Sequence, residues 1–133
     1  MASPNVEAAE RIYAARLRGD LDALVAELDP DVEWRPHLSA LGGDVVRGQD
    51  GVRSYLVSLD DEWDDFRQEV EQSFDAGDRV VVFLNTHGRG RASGVELHLQ
   101  VAHVLCFRDG KCVENQTYID REEALTAAGL RRR

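Results

Sequence analysis

Before residue 60 the apolar positions of the chain fall at helical spacing, and from Phe66 onward they alternate. Val6, Ala9, Tyr13 and Leu17 share one face of a helix. Ser3-Pro4 opens it, a capping serine followed by a proline suited to the first turn, and Gly19-Asp20 stops it. Leu21, Leu24, Val25 and Leu28 follow the i, i+3, i+4, i+7 pattern of a second, shorter helix, ended by Pro30. Val32 to Arg35 reads as a short strand closed by Pro36. His37 to Arg47 reads as a loop with a Gly42-Gly43 pair. Asp50 is then expected to cap a third helix whose apolar side is Val52, Tyr55, Leu56 and Leu59.

The second half predicts strands at Phe66 to Phe74, Arg79 to His87, Val95 to Arg108 and Lys111 to Ile119. They are joined at Ala76-Gly77-Asp78, at the glycine-rich, basic stretch Gly88 to Gly94, and at Asp109-Gly110. Asp120 and Glu123 form a capping box for a last short helix, which Gly129 ends. Three helices and one early strand followed by an antiparallel meander make an α+β fold. A sheet longer than its helices can cover must curve, so the expected shape is a cone-shaped antiparallel sheet whose helices close over a pocket. No repeat or linker divides the 133 residues, and residues 1–133 read as one domain.

Strand parity sorts the side chains. Val95, Leu97, Leu99, Val101, His103, Leu105 and Phe107 share a face that is apolar except at His103. Val80, Val82, Leu84 and Thr86 match it on the preceding strand, and this set is taken to line the pocket. The opposite, convex set mixes Val81 and Phe83 with Asn85, His87, His98 and Gln100, a composition that suits a subunit interface.

Charge and composition narrow the function classes. The net charge is −9, and the only basic run is Arg131-Arg132-Arg133, read as a solvated tail that favours a helix C-terminus. A nucleic-acid partner is therefore not expected. No apolar run is long enough to span a bilayer, and Met1 to Asn5 lack the features of a secretory signal, so a cytoplasmic protein without a membrane partner is expected. Cys106 and Cys112 flank a hairpin turn without metal spacing; a disulfide could cross the hairpin, but in a cytoplasmic protein two ordinary half-buried thiols are expected. The four histidines, His37, His87, His98 and His103, fall in no ligand motif, so neither a metal nor another cofactor is expected.

Two stretches carry a resemblance. Gly19-Asp20-Leu21-Asp22-Ala23-Leu24 with Asp31-Val32-Glu33-Trp34, and Phe107-Arg108-Asp109-Gly110-Lys111 with Tyr118-Ile119-Asp120-Arg121-Glu122-Glu123-Ala124-Leu125, resemble SnoaL-like proteins of the nuclear transport factor 2-like superfamily. The resemblance implies the cone fold and a homodimer formed through the convex sheet face. It implies no single activity, because the fold hosts isomerases, cyclases, dehydratases, epoxide hydrolases and proteins without chemistry. Two positions depart from enzymatic relatives. Arg35 stands where ketosteroid-isomerase-like proteins place their proton-abstracting Asp, and Thr117 stands where limonene-epoxide-hydrolase-like proteins place a carboxylate.

His103 is the candidate proton carrier, since an imidazole on the inner face can act near neutral pH. The resemblance places it where ketosteroid isomerases keep a protonated carboxyl group that steadies an oxyanion. The competing reading is a core histidine satisfied by a neighbouring hydroxyl or carbonyl. Asn115 and Thr117 share a face of the last strand beside it, as ligand-orienting groups or as polar fill. Tyr13, Trp34, His37, Tyr55 and Trp63, with Leu84, Leu99 and Val101, complete the expected pocket wall. The acidic run Asp60, Asp61, Glu62, Asp64 and Asp65 reads as a solvated, charged helix end or connection. The expected ligand is a small, apolar or ring-containing molecule, handled by cofactor-free acid–base chemistry or held by a non-catalytic binding or dimerisation module.

Overall fold

A computed structural model describes residues 3–36 and 45–130. The expectations for His37, for Gly42-Gly43 and for Arg131 to Arg133 fall outside the described residues.

Helix α1 (Pro4–Leu17) begins as expected, with the Ser3 hydroxyl accepting from the Val6 amide at 3.1 Å. It ends at Gly19, whose φ of 75° lets the amides of Gly19 and Asp20 turn back onto the carbonyls of Arg16 and Ala15. Val6, Ala9, Ile12 and Tyr13 are buried, whereas Leu17 is exposed because the last turn projects past the packed stripe. Helix α2 (Leu21–Ala26) is capped by Asp20 and stops earlier than the apolar spacing suggests. Leu28 instead starts strand β1 (Leu28–Arg35) and is buried there, opposite Cys112. Pro30 lies inside this strand, at a break in its register, where no ladder amide is required of it.

Strand β2 (Val46–Arg47) runs directly into helix α3 (Gly48–Glu62). The N-cap is therefore Arg47, without a side-chain cap bond, and Asp50 sits in the first turn rather than at the cap. Val52, Leu56 and Leu59 are buried and Tyr55 is half-buried.

The meander is β3 (Trp63–Ala76), β4 (Arg79–Gly90), β5 (Glu96–Arg108) and β6 (Lys111–Tyr118), all antiparallel to their neighbours. β1 joins β6 in parallel, giving a curved, unclosed mixed sheet in the order β2-β1-β6-β5-β4-β3. Two differences from the sequence pattern concern β3 and β4. β3 begins at Trp63, because register shifts after Asp64 and after Val70, with Asp65 at φ 52°, absorb residues that break the alternation. β4 runs on through Gly88 and Gly90, leaving only the residues after it for the connection to β5. At Gly88 a Cβ would meet the Phe66 ring at 3.3 Å, so a glycine lets β3 pack close.

The two faces of the sheet have different covers. The concave face, with Val80, Val82, Leu84, Val101, Leu105 and Phe107, packs against α1, α2 and α3 in one core. Half of the convex face, with Val81, Ala102 and Val104, is covered by Ala124 and Leu125 of helix α4 (Arg121–Ala127). Asp120 caps α4, its Oδ1 accepting from the Glu122 and Glu123 amides at 2.8 and 3.4 Å. The six-stranded sheet and its helices thus build the α+β cone that the sequence pattern predicts.

Candidate functional site

The concave face points β5 side chains at α1. His103, opposite Thr117 on β6 and Val82 on β4, meets Tyr13 from the helix. The Tyr13 hydroxyl lies 2.6 Å from His103 Nδ1, and both residues are 4% exposed. Asn115 Nδ2 lies 3.5 Å from the same nitrogen, and the Asn115 amide also serves the Tyr13 hydroxyl. Asn115 is 1% exposed, and its Oδ1 has no hydrogen-bond partner among the described residues. A buried acceptor left in that state costs about 1–3 kcal/mol, the kind of concession found where function competes with stability.

Burial sets the protonation states. It pushes the His103 imidazole down to about 3, so the ring is neutral near pH 7. It holds the Tyr13 phenol well above its ordinary value, with the nearby Cys112 adding to the rise and the Asn115 hydrogen bond opposing it. Tyr13 therefore keeps its proton. With the Tyr13 hydroxyl and the Asn115 amide both directed at Nδ1, that nitrogen carries the lone pair and Nε2 carries the hydrogen. No described residue bonds Nε2.

His103 lines a cavity with Ile12, Tyr13, Leu24, Trp34 and Thr117 on its inner side. Arg16, Tyr55, Phe66 and Gln68, all half-buried, line its outer side. About 480 Å³ is free of atoms, open solvent at the mouth included, of which about 30 Å³ admits the centre of a water-sized sphere. That inner space suffices for one or two waters. Burial also pushes the Tyr55 phenol up to about 12, with Glu62 adding and Arg16 opposing.

Of the residues singled out from the sequence, the structure brings Tyr13, Trp34, Tyr55, His103 and Thr117 together around this cavity. Asn115 stands one step behind, touching His103 rather than the open space. Leu84 and Val101 are fully buried in the core beneath, Leu99 packs against that core, and Trp63 packs on Phe66. Arg16, Phe66 and Gln68 are lining residues that sequence reasoning passed over. Arg16 follows Tyr13 by less than one helical turn, and Phe66 and Gln68 share one face of the strand predicted from Phe66, so a wider helical stripe and the parity of that strand would have found them. Arg35 faces away from the cavity and pairs with Glu33 and Glu114, as strand alternation from Trp34 requires. Glu33 also pairs with Arg47.

Among the described residues, no group of three or more His, Cys, Asp and Glu could hold a metal ion. None of the described helices is long and apolar enough to cross a membrane. Both cysteines are free thiols, Cys112 in the inner core and Cys106 half-buried beside Glu114.

Several proteins of known structure are similar to this chain. A nuclear transport factor 2-like protein from Burkholderia thailandensis E264 is 28% identical, covering 99% of this chain and 100% of its own, with a TM-score of 0.81. TerC, solved in co-crystals with polyporic acid, is 27% identical over 96% of this chain and 99% of its own, with a TM-score of 0.77. A putative polyketide cyclase from Xanthomonas campestris pv. campestris is 21% identical over 94% of this chain and 96% of its own, and at a TM-score of 0.72 it shares the fold. No curated protein matches the chain. The model of the SnoaL-like domain matches residues 9–115, which include most of α1, strands β1 to β5 and the Tyr13–His103 pair. The chain belongs to the SnoaL-like domain family, within the nuclear transport factor 2-like superfamily.

Proposed function

We propose that this protein binds a small, mainly apolar molecule in the cavity beneath α1 and acts on it by cofactor-free acid–base chemistry centred on His103. The observation that carries the reading is the short Tyr13–His103 bond, set in a cavity walled mostly by apolar side chains. A neutral imidazole whose Nδ1 is already engaged offers Nε2–H to a carbonyl oxygen of the ligand. If a water molecule in the inner space takes a proton from the carbon beside that carbonyl, negative charge develops on the oxygen. A donor fixed beforehand in a dry site stabilises that charge without reorganising. Tyr13 and Asn115 hold the tautomer, and Thr117 stands beside His103 to orient the ligand. Trp34 and Tyr55 supply flat apolar wall. Admitting a ring requires Tyr55 and Phe66, both half-buried, to swing outward.

A second reading has its own support. The inner space of about 30 Å³ suits a module whose cavity is filled by its own side chains and which performs no reaction. Pairing of two copies through the uncovered part of the convex face, around Asn85, His87, His98 and Gln100, is part of either reading, and light scattering at micromolar concentration tests it.

The deciding experiment is a thermal-shift screen of wild type and His103→Ala with steroids, polyketide-like rings, terpenoid epoxides, fatty acids and polyporic acid. A ligand of the folded state raises the melting temperature by mass action. Stabilisation of the wild type by one class, lost in the variant, supports the first reading and directs turnover assays to that class. A wild type that no class stabilises supports the filled-cavity reading.

A further inference from the structure

The cavity has a depth gradient. Tyr13, His103 and Thr117 at its inner end are each 4% exposed, while Arg16, Tyr55, Phe66 and Gln68 at its outer end are half-buried. Arg16 is the one lining residue, among those described, that bears a full charge at neutral pH. It leaves the last turn of α1 with its side chain 10% exposed, and its guanidinium sits 5.9 Å from the centre of the Phe66 ring. Its two terminal nitrogens donate to Asp60 at 3.1 and 2.9 Å. Asp60, near the end of α3, is 51% exposed and does not line the cavity. The two ends of this ion pair are thus differently placed: the cation is against the cavity wall, and the carboxylate is in solvent.

A guanidinium has five N–H donors, and the pair with Asp60 uses two of them. The other three have no acceptor among the described residues. An exposed carboxylate is released to water at little cost, so Asp60 is an exchangeable partner. A planar, permanently charged fork beside an apolar cavity matches a carboxylate or a comparably acidic oxygen pair.

We infer that Arg16 is the anion-recognition point of the cavity, and that the ligand is an apolar molecule carrying a carboxylate or equally acidic oxygen group at the end nearest the mouth. The inference rests on the ligand-binding reading above and adds the ligand's polarity. The anionic end stays with Arg16, the apolar body passes Phe66 and Tyr55, and the oxygen acceptor reaches His103. Asp60 competes with the ligand for Arg16, so removing its charge strengthens binding.

The test uses a matched pair of probes, 4-oxo-4-phenylbutanoate and its primary amide, titrated calorimetrically at pH 7 into the full chain. Wild type, Arg16→Met, Asp60→Asn and His103→Ala are compared, with circular dichroism as the check on folding. The expected result is an acid that binds wild type about tenfold more tightly than the amide. Arg16→Met erases that preference, and Asp60→Asn enlarges it several-fold. An amide that binds and depends on His103, beside an acid that gains nothing, overturns the anion site and leaves the cavity reading standing. An acid preference that survives Arg16→Met, or that Asp60→Asn leaves unchanged, also overturns it. Failure of both probes to bind wild type overturns the two readings together.

Discussion

The two faces of β5 show the same chain solving opposite problems with alternate residues. On the concave side Val101, His103, Leu105 and Phe107 are shut away from water, and the one ionisable group among them is kept neutral and tied to a hydroxyl. On the convex side the strand divides. Ala102 and Val104 lie under α4, while His98 and Gln100 stay exposed. There His87 and His98 stack directly across the β4–β5 ladder at 4.7 Å, and His87 Nε2 reaches Glu69 at 3.0 Å. Water and a carboxylate are available to the outer histidines, whereas His103 has only neutral partners. Burial, more than residue type, decides what each imidazole can do.

Acid sharpens this contrast most. The folded value of His103 is lowered to about 3 from an ordinary 6.5, so below pH 6.5 the unfolded chain binds a proton that the folded chain refuses. The stabilisation is complete above pH 6.5 and is lost as pH falls toward 3. Over that window the loss is on the order of 4 kcal/mol. Urea titrations from pH 7 to 3.5 should show a flatter pH dependence for His103→Leu than for wild type. Equal slopes would remove the claim that His103 is held neutral.

Next in size is the inner packing. Leu105→Ala should cost about 3 kcal/mol in urea unfolding, because Leu105 is fully buried beside the site. A cost near zero would mean a loosely packed concave core. Tyr13→Phe should cost about 1–2 kcal/mol by leaving Nδ1 without its hydroxyl donor. Nitrogen-15 shifts of His103 should report a single Nε2–H tautomer in wild type and a mixture in the variant. A smaller effect is expected at the cover of the outer face: Asp120→Ala removes the cap of α4 and should cost about 1 kcal/mol. Smallest is His87→Gln, whose partner Glu69 is half-exposed; a change within about 0.5 kcal/mol is expected. A cost as large as that of Leu105→Ala would break the distinction between the faces.

Legibility in the sequence followed the same divide. Alternation from Val95 to Phe107 was enough to place His103 inward, because parity is a local property of a strand. The cone followed from a meander longer than its helices can cover, and the resemblance implied the same shape. The partner of His103 was less legible: Tyr13 lies ninety positions away, and its spacing marks only an apolar stripe, not a hydroxyl aimed across the core. Local rules also misplaced some boundaries. Leu28 keeps helical spacing with Leu24 but is buried as a strand residue, because pairing with β6 outweighs continuing a six-residue helix. Asp50 has the chemistry of a cap, yet β2 feeds the chain into α3 three residues sooner. The acidic run from Asp60 begins as a charged helix end, as its composition suggests, but Asp64 and Asp65 already belong to β3, which charge alone did not reveal. Arg16 went unnoticed because a charged residue on a helix is ordinarily assigned to solvent.

One feature of the sheet bears on how the protein behaves when crowded. β3 forms one outer edge, and a fourteen-residue strand with unpaired backbone groups is a template for another chain to extend. Its two register shifts interrupt the flat run of donors and acceptors, and Asp64, Asp65, Arg67, Glu69, Glu71 and Asp75 keep it charged along its length. The opposite edge, β2, is only two residues long. With a net charge of −9 besides, neither border invites fibrillar stacking, and concentrated solutions should stay clear where a flat, apolar edge would seed aggregates.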